Sequence, residues 1–432
     1  MKRYLFLLSL CASLAGSAQN ELQVVPATVT SSGTFVLFNL ENSGTAGQVK
    51  TLEFTVAWPE GWTVGAPSLT HSSVRERTSV YDEDNEEWTS LFNVNYKDNG
   101  DGTYHYMINT AQGEALKGGS GAFMRVKVTP KSGTPAGFYP VKLVGGNDAV
   151  NGSSYIAASA EANSEIWLGE QTSYLKVGSP KDATLAVTGI VPSFVTSALN
   201  NETAITTLDL TAATAINGEF ALMDSRSLIL PEKDVTVEKG TYSRKVPTGY
   251  STLCLPFSYT CGNKNIELFT FGGLKDGKTL VLTPPDDADG EVNANTPVIF
   301  KATNAGTLEL ATSRPFKLSA STSLTVEKGD GVSLIGTYAK LSAPKGSYVL
   351  QSQNDMEAFY KVGSTLPSVL ANRCYLTSAS GEVKAFAFPG CPTAIDGIEA
   401  DANVSVIYDI AGRRVSKADK GIYIVDGKKL VK

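Results

Sequence analysis

Alternation of apolar and polar side chains is the feature that most constrains this chain. In TLEFTVAW every second residue from Leu52 to Trp58 is apolar, and in FMRVKVTP Met124, Val126 and Val128 alternate with charged or small residues. Successive side chains of a strand point to opposite faces of a sheet, so this pattern predicts strands with one buried face. The stretch NVNYKDNGDGTYHYMI, two alternating runs around Asp98–Gly102, predicts a hairpin.

The predicted fold class is therefore all-β. We expect an N-terminal β-sandwich, jelly-roll-like in topology, followed by a second β-rich domain and a small C-terminal β unit. Turn-rich segments place the boundaries as follows: a signal peptide at 1–18, the sandwich at 19–175, a β-rich connector or extra layer at 176–237, the second β module at 238–392 and the C-terminal unit at 393–432.

The first residues, MKRYLFLLSLCASLAGSAQN, predict a secretory signal peptide that is cleaved after Ala18. Lys2 and Arg3 precede an apolar run that ends at Leu10, far short of the roughly 20 residues that a transmembrane helix needs. Lipidation at Cys11 is the alternative, but Leu10 stands where a small residue is expected. The mature protein is predicted to be extracellular or on the cell surface, without a transmembrane segment.

The charge balance argues against a nucleic-acid partner. The chain carries 37 Lys and Arg against 43 Asp and Glu, a formal net charge of −6, and no basic run large enough to neutralise phosphates. We therefore expect no nucleic acid among the partners.

Four cysteines follow the signal peptide, and an even number in an exported chain is compatible with disulfides. Proximity in the sequence pairs Cys254 with Cys261 and Cys374 with Cys391. The other pairings and reduced buried thiols remain open. No CxxC motif or Cys/His cluster is present, so a zinc site is not expected.

No catalytic constellation stands out. The only histidines, His71 and His105, are not accompanied by a GxSxG nucleophile turn. Paired carboxylates of a glycosidase could come from the acidic run at 82–87, but adjacent acids in a polar stretch are usually a solvated loop. We expect no enzymatic activity, with a polysaccharide hydrolase as the least favoured alternative.

The same acidic run is the best candidate for a cation. Asp82, Asp84 and Glu86 could contribute oxygen ligands to calcium, although the spaced pattern of an EF-hand loop is missing. No other cofactor is expected.

Two tryptophans are candidates for ligand contact. Trp58 lies on the buried face of its strand, whereas Trp62 follows a glycine in a turn and Trp88 lies beside the acidic run. Exposed aromatic rings can stack on sugars, so Trp62 and Trp88 are the predicted ligand-binding residues, with turn packing as the alternative role.

The segments VKTLEFTVAWPEGWTV, GAFMRVKVTP and GTPAGFYPVKL resemble the cohesin and carbohydrate-binding-module superfamily of β-sandwiches. The resemblance covers about the first third of the chain. It implies a binding domain rather than a catalytic one, and it leaves glycan and protein open as ligands.

Farther along, GYSTLCLPF, ANTPVI, GTY, YVL and RCYL occur in the order found in a β module of exported, surface-associated Bacteroidetes proteins. The implied role of this module is structural or adhesive.

The ending VIYDIAGRRVSKADKGIYIVDGKKLVK is similar to the C-terminal sorting domain read by the Bacteroidetes type IX secretion machinery. The alternative is that its strands complete the preceding sheet. The resemblance implies that the secretion machinery is a partner and that the signal comprises Asp409, Gly412, Arg413, Gly421, Tyr423 and Lys432.

Together these observations predict an exported, non-catalytic binding protein that recognises a glycan through its N-terminal sandwich. A cohesin-like scaffold or adhesin that grips a protein partner is the alternative.

Overall fold

The structure of the protein is a computed structural model. It describes residues 21–41, 49–111, 113–144, 169–224, 226–285, 290–312, 314–319, 323–328, 331–353, 356–380 and 383–390, and the strand backbones at 155–158, 164–167, 407–409, 414–415, 422–425 and 428–431. Of the described residues, 59% lie in strands and 4% in helices. The predicted all-β class is therefore confirmed.

The elements in chain order up to residue 177 are β1 Glu21–Val24, β2 Ala27–Val29, β3 Thr34–Glu41, β4 Val49–Ala57, β5 Thr63–Ser68, α1 Arg75–Thr78, β6 Ser79–Asp82, β7 Glu87–Ser90, β8 Phe92–Asp98, β9 Thr103–Thr110, β10 Ala122–Thr129, β11 Gly137–Val144, β12 Tyr155–Ala158, β13 Ser164–Trp167 and β14 Gln171–Val177.

The remaining elements are β15 Ala183–Val191, α2 Ser193–Asn201, β16 Ile205–Met223, β17 Ser227–Ile229, β18 Val235–Val246, β19 Gly249–Leu253, β20 Ile266–Lys275, β21 Thr279–Thr283, β22 Val298–Ala302, β23 Gly306–Ala311, β24 Phe316–Leu318, β25 Thr325–Lys328, β26 Val332–Thr337, β27 Leu341–Ser342, β28 Tyr348–Gln353, β29 Met356–Lys361, β30 Ser368–Val369, β31 Arg373–Ser378, β32 Ala385–Ala387, β33 Ile407–Asp409, β34 Arg414–Val415, β35 Ile422–Val425 and β36 Lys428–Val431.

The chain divides into two compact units. The first takes the described residues within 1–25, 32–130 and 143–168, and the second takes those within 26–31, 131–142 and 169–432. Neither helix among the described residues has the length and apolar character needed to cross a bilayer.

The first unit is a β-sandwich. One antiparallel sheet has the strand order β1-β3-β10-β5, and in the other β12 pairs with β13 and β4, β4 with β9, and β9 with β8. The predicted hairpin is confirmed as β8 and β9, joined by the turn at 99–102.

Aromatic rings fill the space between these sheets. Phe38 of β3 packs against Phe54 of β4 with ring centroids 5.5 Å apart, and Tyr106 of β9 lies 5.4 Å from Phe54 and 6.0 Å from Phe38. Trp58 donates a hydrogen bond from Nε1 to the Tyr106 hydroxyl at 3.3 Å, so the predicted core position of Trp58 is confirmed. Burial raises the pKa of Tyr106 well above its ordinary value.

The second unit begins with parallel strands, which the sequence pattern does not reveal. β15 pairs in parallel with β16, and β16 pairs in parallel with β17 and β18. The helix α2 connects β15 to β16 and buries Val195 and Leu199. Antiparallel strands β23 and β24 then pair with β18.

A larger sheet follows in the second unit, with the strand order β19-β22-β20-β21-β32-β29-β28-β31-β26-β25. Its pairings are antiparallel except for β21 with β32. The C-terminal strands form a separate antiparallel sheet in the order β34-β33-β35-β36, which confirms the strands predicted there.

A network of charged side chains joins β31 to the end of β16 and to β18. Asp224 accepts hydrogen bonds from Arg373 Nη2 at 2.5 Å and from the Tyr242 hydroxyl at 2.6 Å, and Arg373 Nη1 donates to the same hydroxyl at 2.9 Å. Burial tends to raise the pKa of Asp224. The charges of Arg373 and Arg244 and the two hydrogen bonds outweigh burial, so the pKa lies below its ordinary value.

We predict that Asp224→Asn lowers the free energy of unfolding by about 2–3 kcal/mol at neutral pH. This is less than the roughly 3–5 kcal/mol for breaking a fully buried pair, because the Asp224 side chain is 33% exposed. A carboxylate with a lowered folded pKa stabilises above its unfolded pKa of about 3.9, and its contribution disappears as the pH falls through the folded pKa. Urea unfolding at pH 7 and at acidic pH should therefore show the difference between wild type and variant shrinking in acid.

The matched control is Asp234→Asn. Asp234 forms a 3.5 Å ion pair with Lys317 in which both side chains are at least half exposed, so its loss should cost less than about 1 kcal/mol. Equal effects of the two substitutions would contradict the role of the Asp224 network.

Candidate functional site

An exposed pair of aromatic rings lies on a two-stranded ribbon of the first unit. The strands β6 and β7 pair antiparallel with Tyr81 directly opposite Trp88. Their ring centroids are 5.3 Å apart, and Tyr81 is 43% and Trp88 37% exposed. The expected exposure of Trp88 is confirmed, and its contact with a ligand stays a prediction.

A guanidinium group extends this aromatic pair. Arg75, the first residue of α1, places its Cζ atom 4.8 Å from the centroid of the Trp88 ring and lies over that ring. A cation over an indole face is attracted by the electrons of the ring, by about 0.5–1 kcal/mol at an exposed position. We call Arg75, Tyr81 and Trp88 the aromatic patch.

The turn between β6 and β7 is closed by Asp82. Its carboxylate accepts hydrogen bonds from the Asp84 amide at 2.9 Å, the Asn85 amide at 3.2 Å and the Asn85 side-chain amide at 2.8 Å. These hydrogen bonds, chiefly that from the Asn85 side chain, lower the pKa of Asp82. Asp82 therefore shapes the turn that brings Tyr81 and Trp88 together.

The predicted calcium ligands Asp82, Asp84 and Glu86 do not assemble. Both carboxylate oxygens of Asp82 accept hydrogen bonds from the turn itself. Nowhere in the described part of the chain do three His, Cys, Asp or Glu side chains converge as a metal site requires. The residues present do not fit the six to eight oxygens that calcium takes.

The base of the ribbon is held by Arg77, which is buried. Its guanidinium donates to the carbonyl oxygens of Leu40 at 2.7 Å, Lys117 at 2.7 Å, Gly118 at 3.2 Å and Gly121 at 2.5 Å. Burial lowers the pKa of Arg77. These hydrogen bonds fix α1, the short helix that immediately precedes the ribbon, because a buried cation is costly unless its donors are satisfied.

Lys117 adds a second connection to the ribbon. Its ammonium group donates to the Ser79 carbonyl oxygen, the first of β6, at 2.8 Å. The aromatic patch is thus carried on a ribbon whose base is hydrogen-bonded to the sandwich.

Three residues of this site, Arg75, Arg77 and Tyr81, were not predicted from the sequence. A signal was present, since Tyr81 and Trp88 stand at equal distances from the centre of the acidic run and would face each other in a hairpin. The sequence gives no comparable signal for the two arginines. Arg75 lies over the ring of Trp88, and Arg77 donates to backbone carbonyl oxygens that are distant in the sequence.

The expected exposure of Trp62 is wrong. The residue is only 9% exposed, and its amide donates to the Pro59 carbonyl oxygen at 3.2 Å in a tight turn. Gly61 adopts a φ of 74°, a conformation that glycine tolerates, and the turn leaves the indole packed into the protein rather than in solvent.

His105 lies between two polar side chains of β4. Its Nδ1 is 2.9 Å from Thr55 Oγ1 and its Nε2 is 3.0 Å from Glu53 Oε1. The order hydroxyl, imidazole, carboxylate has the form of a hydrolase triad. Thr55 is only 3% exposed, however, so its hydroxyl cannot reach a substrate, and the contacts join neighbouring strands of the sheet.

Cys254 and Cys261, which the sequence pairs in a disulfide, are both free thiols in the structure, so that pairing stays a prediction. Cys374 is also a free thiol, and its predicted partner Cys391 lies outside the described residues. Cys254 is buried, whereas Cys261 is partly exposed.

Among the residues assigned to the sorting signal, Asp409 and Tyr423 lie directly opposite each other on β33 and β35. Gly412, Arg413, Gly421 and Lys432 lie outside the described residues. The sorting role stays a prediction.

Comparison with known proteins finds similarity to solved structures of cohesin modules. No family model matches the chain, and no curated protein is similar to it. Similar solved structures include a cohesin module from a family 33 glycoside hydrolase of Clostridium perfringens, with 12% identity and a TM-score of 0.27 over 37% of this chain and 96% of that one.

Two others are the sixth cohesin of scaffoldin B from Acetivibrio cellulolyticus in complex with a Cel5 dockerin mutant, and a non-cellulosomal cohesin from Archaeoglobus fulgidus. The first has 14% identity and a TM-score of 0.27 over 37% of this chain and 99% of that one. The second has 15% identity and a TM-score of 0.21 over 38% and 93%. These scores are too low to support a conclusion about function.

We predict that Trp88 contributes more to the tryptophan fluorescence that acrylamide quenches than the nearly buried Trp58 or Trp62 does. Trp88→Phe should reduce the Stern–Volmer slope, whereas Trp62→Phe should leave a slope at least as steep as that of the wild type. Equal slopes for the two variants would contradict the exposed position of Trp88.

Proposed function

We propose that this protein is an exported, non-catalytic binding protein whose first unit recognises a protein partner through the aromatic patch. The observation that carries the proposal is the exposed Tyr81–Trp88 pair with Arg75 over the indole. Trp, Tyr and Arg are the residue types most enriched among the energetic hot spots of protein interfaces.

The geometry favours a protein over a glycan. A sugar stacks on an open ring face, whereas the guanidinium of Arg75 already lies over the Trp88 ring and Tyr81 is tilted by 50° toward it. A partner side chain can instead use the ring edges, the guanidinium donors and the remaining apolar surface together.

The charge of the ribbon supports a partner with a basic surface. Between Ser79 and Ser90 the chain has five acidic residues and no Lys or Arg. Opposite charges on two surfaces speed their encounter, and salt screens this effect over roughly 8 Å at physiological ionic strength.

Glycan binding is the second candidate, and the exposed indole of Trp88 favours it. The sequence-based hypothesis placed two tryptophans at the ligand, but Trp62 is nearly buried. A glycan site would therefore depend on Trp88 and Tyr81.

We predict that Trp88→Ala weakens binding of the partner by at least about 30-fold in Kd, which corresponds to the roughly 2 kcal/mol of a hot spot. To find the partner, Glu83 is first replaced by a photo-reactive amino acid, and the protein is crosslinked to proteins shed by the producing organism. Binding of the purified partner is then measured by calorimetry. Association should slow as salt is added.

Thr89→Ala is the matched control, because Thr89 is exposed on the same strand and faces Val80 rather than Tyr81. It should change Kd by no more than about twofold. Unchanged binding by Trp88→Ala would refute the proposal. Binding on a glycan array that disappears in Trp88→Ala would favour the glycan candidate instead.

Export is a separate part of the proposal, supported by the signal-peptide pattern at 1–18 and the sorting-like tail. We predict that deleting residues 403–432 retains the protein inside the producing cells, as measured by immunoblotting of cell fractions. Substituting Asp286 and Asp287 with Asn, outside both predicted signals, should leave export unchanged. A truncated protein that still reaches the exterior would exclude the sorting role of the tail.

A further inference from the structure

Two buried cysteines of the second unit lie side by side although they are about 120 residues apart in the sequence. Cys254 follows β19 and is 0% exposed, and Cys374 is the second residue of β31 and is 4% exposed. The Cys374 amide donates to Thr252 Oγ1 at 3.0 Å, and its thiol is 3.3 Å from the Leu253 carbonyl oxygen. In return, the Cys254 amide donates to the Asn372 carbonyl oxygen at 3.3 Å.

A glycine brings the two side chains into the same space. Gly336 of β26 is directly opposite Cys374 in the antiparallel pair with β31. Residues so paired direct their Cβ atoms to the same face, about 4.5–5.5 Å apart. A Cβ added to Gly336 would lie 2.5 Å from Cys254 Sγ and 2.8 Å from Cys254 Cβ. The side chain of Cys254 therefore occupies the place that Gly336 leaves empty, next to Cys374.

We propose that Cys254 and Cys374 form a disulfide when the chain folds in an oxidising medium. The S–S bond forms as the two thiols lose two protons and two electrons. The electrons reduce the disulfide of an oxidant of the thiol–disulfide class, such as glutathione disulfide, to two thiols.

Bond formation belongs to folding rather than to the closed native state. The thiolate is the attacking species, and burial raises the pKa of Cys254 to about 12 and that of Cys374 well above its ordinary value. Once formed, the cross-link would join the end of β19 to β31 and close a long loop, which restricts the unfolded chain.

The test uses the full chain, unfolded in urea with reductant and refolded in a buffer of reduced and oxidised glutathione. Free thiols are then alkylated in denaturant, and the unreduced digest is analysed by mass spectrometry. We expect a linked pair of peptides containing Cys254 and Cys374, with Cys261 alkylated. Addition of reductant should lower the Tm of the refolded protein and abolish the linked peptides.

Cys261→Ser is the matched control and should retain the linked pair and the fall in Tm on reduction. Cys374→Ser should lose both. If Cys374→Ser fails to fold, the peptide map of the wild-type chain still decides. A link between Cys254 and Cys261, a link between Cys374 and Cys391, or alkylation of both Cys254 and Cys374 would each overturn the proposal.

Discussion

Burial of aromatic rings between two sheets is the interaction on which the first unit depends. Phe38, Phe54 and Tyr106 come from three strands of both sheets, and each ring lies within 6.0 Å of the other two. Rings of this size remove much apolar surface from water, and their contacts fix which face of each strand points inward. Because the buried faces of β4 and β9 hold the two sheets together, the residues on their outer faces and in the connecting loops can vary without disturbing this core.

The ribbon that carries the aromatic patch is held at its base by hydrogen bonds to the sandwich. A two-stranded ribbon on its own is marginally stable in water, and here the residues around it are tied down by Arg77 and Lys117 through carbonyl oxygens. A surface that is already ordered loses less conformational entropy on binding. The buried guanidinium of Arg77 therefore couples the ribbon that carries Trp88 to the sandwich.

Local patterns predicted the fold well where strands pair with their neighbours in sequence. The alternation through Leu52 and Phe54 and the hairpin at β8 and β9 were both visible before the structure. The parallel pairing of β15 with β16 could not be predicted, because alternation of apolar and polar residues occurs in parallel and antiparallel strands alike. For the site, Trp88 was found and Trp62 was misjudged, since exposure in a turn depends on how the chain after Gly61 folds back.

Both units use a buried arginine where regular hydrogen bonding ends. In the first unit Arg77 donates to the carbonyl oxygens of Leu40 in β3 and of loop residues such as Lys117. In the second, Arg226 donates to those of Leu199 in α2, Glu202 after the helix and Ile205 at the start of β16. The last carbonyls of a helix have no partner within the helix, and the planar fork of a guanidinium reaches several acceptors at once where a lysine offers one point charge. Irregular segments are thus tied to the sheets by the same kind of hydrogen bond to carbonyl oxygens that holds strands together, and an exposed surface such as the aromatic patch can lie on a connection rather than on a main sheet.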